Sequence, residues 1–587
     1  MFISNYIVDE TVNRSLLKHG SRVITVKTNS AMSERSFVTG LLSSQGSRHI
    51  NLENISSLEG LKSRVGELFG IVEPRETTFH DRDGMQLHSL RDISKCKSSI
   101  EIRIAKVPIH LPPGPDPLPL VGNRLELYPD ILGNVDRLCA RYGGVIKTDN
   151  MGVVTYYTND PVIARHVLRE GEFFTKKTSD PAHPLHFMSN QEALFSCDSD
   201  SPAFGPSHRF IPPCMAPKAV RHYTPSVQRC IERAFYVLDA MSDGSLAFNV
   251  YQYMFKLAGQ VIWKTVFNAD LGHFDSIDAK PYKTIHHLGQ YLALMKRVSL
   301  RPPWYGHLPF GDPRRMREAR DLVWAGVGEA IERGSTGGKD LPLHEAALHA
   351  TCLADYLQRA VDGEGKKLPR EFLVSNCVIL FGAGFVTSSS LLSWCIYALC
   401  QYDGVQERLL QELVDHGAAQ GKAWTMDELN AMPYLDRFIK ETQRMHNPSF
   451  QTARNARRDV VLPGGIMIPE GSVVIPTFPS LHRNPAYWDN PTRFDPDRWD
   501  TEVVKQLPRS AYTPFAAGSR GCIGFSLALL EVKMAMALLV YRYEFSDASL
   551  EPVVYDPEFL VVRPVNFYAI AKRRTSWPRP SSKGMDD

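Results

Sequence analysis

Phe515-Ala-Ala-Gly518-Ser-Arg520-Gly-Cys522-Ile-Gly524 sets a lone cysteine between close glycines, just ahead of FSLALLEVKMAMALLVYRY, which reads as a long helix. Glycines permit a tight turn and let the backbone approach a flat ligand closely. Backbone N–H groups around the sulfur, together with the N-terminus of the following helix, favour a thiolate. Arg520 is placed to pair with an anionic group on the same ligand. A cysteine beside a glycine turn is most often a buried structural thiol; here the whole ten-residue pattern carries the signal.

Two further constellations hold chemistry-bearing residues. Glu441 and Arg444 lie three apart on one helical face, a spacing whose ion pair is worth only a few tenths of a kcal/mol and is common. Ala383-Gly384-Phe385-Val386-Thr387 sits within a segment, Phe372 to Tyr402, that contains no charged residue. By length that segment could cross a bilayer. Its Asn376, Thr387, Ser388, Ser389, Ser390 and Ser393 are costly in lipid. A helix buried at the centre of a large soluble protein is the expectation.

The elements that must position these residues fit a chain of 587 residues, long enough for a large enzyme core plus a smaller unit. With 43% hydrophobic and 22% charged residues the composition is globular, and a net charge of +3 argues against a nucleic-acid binder. Ten cysteines without a C-x-x-C pair point to a reducing compartment and mostly buried thiols. The polar N-terminus, MFISNYIVDETVNRSLLKHG, has no apolar core of a signal or anchor helix. Cytoplasmic localisation, with peripheral contact at the endoplasmic reticulum, is expected.

Residues 1–106 read as an N-terminal extension whose part from about residue 21 is a separate α+β unit. SRVITVKT is a strand, with SFVTGLLSS (residues 36–44) as its expected hairpin partner. SSLEGLKSRVGELFGI places Leu58, Leu61, Val65, Leu68 and Phe69 on one helical face. TTFHDRDGMQL carries the turn signal Asp83-Gly84, and SSIEIRIA alternates Ile100, Ile102 and Ile104. This order resembles the ubiquitin-like β-grasp. Residues 107–123, rich in proline, read as a stiff linker. From 124 to 575 helix-like segments dominate until about residue 450, strand-like runs such as VVLPGGIMIPEGSVVI follow, and a last long helix starts near Ser526; residues 576–587 form a tail.

F-x-x-G-x-R-x-C-x-G is the haem-loop signature of cytochromes P450, and every fixed position is filled here. The resemblance covers roughly residues 107–575 and implies a mainly α fold with a smaller β region. It also implies haem b as cofactor, Cys522 as the iron ligand, Arg520 as a propionate partner, Phe515 packed near the sulfur, and Gly518 and Gly524 shaping the loop. A thiolate axial ligand donates electron density to the iron. In this family an E-x-x-R pair joins a downstream arginine in a structural triad. Glu441, Arg444 and Arg498 match it, with Asp497 and Trp499 as departures. Arg454 takes the place of a second propionate arginine. In DSDSPAFGPSHRFIPP, Phe204 stands where a tryptophan is usual and His208 where a propionate donor is usual, with Pro206 marking the helix start.

The distal-helix pattern of the family is A-G-x-D/E-T. Ala383, Gly384 and Thr387 are kept as the oxygen-activating residues, and Val386 replaces the acid, so it cannot relay a proton. Phe381, Phe385 and Val386 are expected to offer an apolar surface to the substrate. Two readings stay open. One is an O2-dependent monooxygenase of a small apolar organic substrate, a fatty acid or a polycyclic secondary metabolite. The wording of several stretches resembles the fatty-acid-hydroxylase-like branch. No flavin or NADPH domain follows in this chain, so electrons would come from NADPH through a separate cytochrome P450 reductase. The other is a P450-type isomerase, dehydratase, peroxide-dependent or oxidative-coupling enzyme. A haem sensor is the non-enzymatic alternative.

Overall fold

The computed structural model describes residues 23–27, 47–52, 55–96, 100–188, 190–334, 337–449, 452–556 and 561–581. Its centre is the 32-residue helix Arg370–Gln401, which packs on the helices Val250–Phe267, Gly311–Gly334 and Phe525–Arg542. A helix apolar on all sides belongs in a core. The serines that oppose a membrane placement find partners here: Ser390 Oγ donates to the carbonyl of Val562 at 2.5 Å, and Ser393 Oγ to that of Ser389 at 2.7 Å. This is the helix that passes a length-and-hydropathy test for a membrane span, and it lies within the fold.

The crossing with Val250–Phe267 is close because glycine stands on both sides. A Cβ on Gly259 would come within 2.7 Å of Ile285 and 3.4 Å of Phe385, and one on Gly384 within 2.8 Å of Ile262. Phe381, Phe385 and Val386 are buried in this crossing, with Phe385 edge-on to Phe255 and Phe381 edge-on to Trp263. The expectation that they face substrate is corrected. On a helix they fall on the side turned to the core, and Ala383 and Thr387 fall on the more open side.

In the N-terminal unit the strands β1 (Val23–Lys27), β2 (Ser47–Asn51), β3 (Thr77–His80), β4 (Gln86–Leu87) and β5 (Ile100–Ile104) form a mixed sheet in the order β2-β1-β5-β3-β4. The β1–β5 pair is parallel and the others are antiparallel. The helix Leu58–Phe69 is capped by Ser57, whose hydroxyl accepts from the Gly60 N–H, and ends at Gly70 with φ 66°. Its Leu61, Val65 and Phe69 pack with Phe79, Ile100, Ile102 and Ile104 as their spacing predicts. The expected hairpin partner at residues 36–44 lies outside the described residues; the strand paired with β1 is β2.

The proline-rich stretch is not a free tether. Val107–Pro108 pairs with β5, the Pro113 carbonyl accepts from Lys147 N–H at 2.8 Å, and a Cβ on Gly114 would lie 1.9 Å from the Lys147 carbonyl. It is laid along a five-stranded sheet ordered Val145–Asn150, Val153–Thr158, Val473–Pro476, Arg454–Ala456, Phe174–Thr175. The hairpin Val460–Leu462 with Ile466–Ile468 follows Arg454–Ala456 directly.

Candidate active site

The Cys522 loop is closed by its own backbone. Cys522 N–H donates to the Phe515 carbonyl at 2.8 Å, and Gly521 N–H to that of Gly518 at 3.0 Å. Gly518 has φ 75°, and a Cβ there would sit 2.7 Å from the Leu168 carbonyl, so both conformation and space demand glycine. At Gly524 a Cβ would meet no protein atom within 4 Å, which leaves the helix start open beside the sulfur. Phe515 lies near the helix start, its ring 6.3 Å from that of Phe525.

Cys522 is the exposed cysteine of the chain; the other nine are buried or half-buried. The Cys522 side chain reaches the surface, yet the density of protein atoms around the sulfur pushes its thiol pKa up, and the Gly524 N–H acts against that. Of the two effects, the Gly524 N–H acts in the thiolate's favour, as the loop sequence suggests, and desolvation acts against it. A coordinated cation reverses the balance, because a metal-bound thiol is deprotonated outright.

Beside the loop is a buried cradle of positive charge. Arg520 donates to Glu170 Oε2 at 3.3 Å, to the Leu194 carbonyl at 2.6 Å and to Ser199 Oγ at 3.0 Å. Arg454, 1% exposed, is a buried residue and not a surface arginine. Its Nη1 donates to the Ala453 carbonyl at 2.8 Å. Its Nε stands 3.8 Å from Glu170 Oε1, an ion pair too long for a hydrogen bond. Nε and Nη2 of Arg454 are buried without a hydrogen-bond partner. Burial lowers the Arg454 pKa to about 10, against the pull of Glu170.

Lys176 and Glu170 complete the cradle, and neither was singled out from the sequence. Lys176 is buried, donates to the Phe195 carbonyl and lies 4.0 Å from the Phe195 ring centroid. Burial, then Arg454 and Arg520, drive its pKa far down. Burial alone would raise the Glu170 pKa; the Ser199 hydroxyl and the guanidinium groups of Arg454 and Arg520 outweigh it and hold the carboxyl below its usual range. Nothing local distinguishes LREGEFFTKK from any surface loop, so only the fold could reveal these two residues.

Phe204 and His208 open the helix Phe204–Met215, whose start agrees with the position of Pro206. The Arg520 guanidinium lies 4.0 Å over the Phe204 ring, so the residue in the usual tryptophan position serves as a cation–π platform. His208 is exposed, its ring tilted against that of Phe204 at 5.4 Å between centroids. On the central helix, Thr387 donates its hydroxyl to the Ala383 carbonyl at 2.6 Å.

The predicted triad is formed and fully buried. Arg444 holds both Glu441 oxygens at 2.9 and 2.8 Å, and Arg498 Nε reaches Oε1 at 2.9 Å. Remaining guanidinium donors bind the carbonyls of Pro491, Arg493 and Asp489. The two departures separate in role: Trp499 donates its indole N–H to Glu441 Oε2 at 3.0 Å, and Asp497 pairs outward with Arg408 at 2.8 Å.

A family profile described as cytochrome P450 matches residues 112–571. The chain is 50% identical over 542 residues to cytochrome P450 monooxygenase alnD of Emericella nidulans, covering 92% of this chain and 98% of that protein. That alignment is longer than residues 112–571, so the similarity runs into the N-terminal unit. Leukotriene-B4 omega-hydroxylase 3 of Mus musculus is 29% identical over 323 residues, 53% of this chain and 60% of that protein. Among solved structures, the haem domain of cytochrome P450DA superposes with a TM-score of 0.70 at 23% identity, covering 79% of this chain and 98% of that one. The chain belongs to the cytochrome P450 family and is a P450 monooxygenase by class.

Family membership implies haem, and the residues present fit it. Cys522 supplies the soft thiolate donor that haem iron takes. The unpartnered Arg454 Nε and Nη2, buried beside Lys176 and Arg520, await a further anion, which propionates provide. Gly524 leaves space where a flat ring must approach the loop.

Proposed function

We propose that this chain carries out O2-dependent monooxygenation of an apolar organic acid, with electrons drawn from NADPH through a separate reductase. Haem bound through Cys522 would supply the redox chemistry. The chain's own residues hold and protect it: Arg454, Lys176 and Arg520 bind its anionic edge, and the buried triad fixes the segment behind the loop. The observation that carries the reading is Thr387, a hydroxyl on the open side of a core helix, held by the Ala383 carbonyl and free to rotate to another acceptor.

The substrate reading rests on a cleft of about 80 Å3 between the sheet and residues 299–303. Tyr128, Tyr157, His183, Lys296 and Arg301 line it, and no acidic residue does among the described residues. It does not reach Cys522 or Thr387. The relation to a leukotriene hydroxylase supports a fatty-acid-like substrate over a polycycle.

A second reading keeps one observation on its side. Valine stands at position 386 in place of the usual distal acid, which supports chemistry that needs no external protons. Absorption spectra under carbon monoxide separate the two. A thiolate-type Soret band with dithionite and also with NADPH plus reductase supports the monooxygenase. A band with dithionite alone supports the second reading, and no such band removes both.

We also place the N-terminal unit with the β-grasp folds on its strand order, and the protein at a membrane surface. Leu118, Leu120, Leu125, Trp304 and Phe310 are exposed apolar residues, and Arg124 ties the first segment to the second through the Leu300 carbonyl at 2.7 Å. Sedimentation with anionic vesicles, lost on Leu120→Ser and Trp304→Ser, tests the membrane contact.

A further inference from the structure

The N-terminal unit grips the P450 domain at two places, and both lead into the charged cradle. At the first, Gly70 and Val72 pair with the hairpin that follows Arg454. Val461 N–H donates to the Gly70 carbonyl at 2.9 Å, and Val72 N–H to that of Val461 at 3.1 Å. Val461 belongs to the hydrophobic core of the N-terminal unit. Arg458, four residues after Arg454, donates to the Glu67 carbonyl and to Glu172 Oε1 at 2.9 Å. The approach is so close that a Cβ on Gly70 would lie 2.1 Å from the Asp459 carbonyl.

At the second, Glu73 Oε1 meets His166 Nε2 at 3.0 Å and Arg165 Nη2 at 3.2 Å. Those residues stand on the helix Pro161–Leu168. Leu168 ends that helix with its carbonyl against Gly518 of the cysteine loop, and Glu170 follows two residues later. Glu170 in turn holds Arg454 and Arg520.

We propose that the N-terminal unit is a positioning clamp for the haem-propionate cradle: through Gly70 and Glu73 it fixes the two segments that supply Arg454 and Glu170. The clamp rests on the haem-thiolate reading above. It also accounts for a similarity to the Emericella protein that extends beyond the P450 domain. A unit joined by main-chain pairing and a shared core moves with the hairpin it holds, so loosening either grip lets the cradle open and releases the anion it binds.

The test is the rate of haem transfer from the full-length holoprotein to excess apomyoglobin. Glu73→Ala removes the second grip at a half-exposed position where the fold tolerates truncation, and Gly70→Ala strains the first. Transfer about three- to tenfold faster is expected for Glu73→Ala and at least as fast for Gly70→Ala. Glu73→Gln keeps an acceptor for His166 and Arg165 and restores most of the parental rate. Met85→Ala, in the same unit at a residue 66% exposed, leaves the rate unchanged. Parental rates in Glu73→Ala, or no rescue by Glu73→Gln, overturn the clamp. A parent without a thiolate-type Soret band removes the reading beneath it, a failure distinguishable from the first.

Discussion

The indole N–H of Trp499 donates to Oε2 of Glu441 at 3.0 Å, deep in the structural triad. Glu441 is fully buried and takes further bonds from Arg444, Arg498 and the Asp495 N–H. Its charge depends on that donor set, because an ionised carboxylate in the interior must be fully hydrogen-bonded. Trp499→Phe keeps the aromatic packing against Trp488 and Tyr512 and removes one donor. A loss of about 1.5–3 kcal/mol in unfolding free energy is expected, read by denaturant titration of the holoprotein. An unchanged midpoint would show that the bond adds nothing.

The haem loop and the triad were legible in the sequence because their chemistry sits in short, contiguous motifs. Glu441, Arg444 and Arg498 are brought together where their motifs predict, and Arg520 lies buried beside the Cys522 loop. The cradle was only half legible. Arg454 follows from its place before a strand pair. Lys176 and Glu170 reach it from a loop far away in sequence, and no local pattern encodes that meeting. The distal helix misled for a different reason: an apolar all-round helix gives no periodicity to say which face is inward. Only the packing of Phe381 and Phe385 against Trp263 and Phe255 assigns it.

Placing the family's acid back into the helix therefore fails. Val386 is 4% exposed in the crossing with apolar neighbours. Val386→Asp buries a carboxyl without a cation beside it and lowers stability by about 3 kcal/mol or more. Thermal unfolding measures this. A stable variant that consumes NADPH with less peroxide would instead show that position 386 serves the reacting side.

Thr387→Ala is expected to act on coupling and not on folding. The hydroxyl bonds within its own helix, to the Ala383 carbonyl, so its loss leaves no buried orphan. In the reductase-supported reaction, product formation falls roughly tenfold or more and the peroxide released per NADPH rises. Equal product and peroxide yields in parent and variant would favour the chemistry that needs no external protons.

Glu170 sets a pH limit. Its carboxyl is held below its usual range by the Ser199 hydroxyl and by Arg454 and Arg520, against the effect of burial. A depressed folded-state pKa gives stability that is present above the unfolded value, near 4.5, and lost as pH falls through the folded value. Haem retention should therefore weaken below about pH 4.5. In Glu170→Gln that acid-dependent step disappears, and retention is poorer already at neutral pH because Arg454 and Arg520 lose the carboxylate that holds them in place. Haem release followed from pH 7 to pH 3 distinguishes the two profiles.

Glu531 predicts the opposite sign at the alkaline end. It stands on the helix Phe525–Arg542, is 2% exposed, and its Oε1 has no hydrogen-bond partner. Burial raises its pKa to about 8, against a hydrogen bond from Ser388 on the central helix. For a carboxyl whose folded-state pKa is raised, the contribution to stability is full below the unfolded value and is lost as pH rises through the folded one. The window runs from about 4.5 to about 8. Glu531→Gln keeps the shape, cannot ionise, and so escapes that loss. The variant should match the parent in unfolding free energy near pH 5 and exceed it by a few kcal/mol at pH 8.5. Denaturant titrations at the two pH values provide the measurement. A parent no less stable than the variant at pH 8.5 would mean that water or a neighbouring group carries the Glu531 charge.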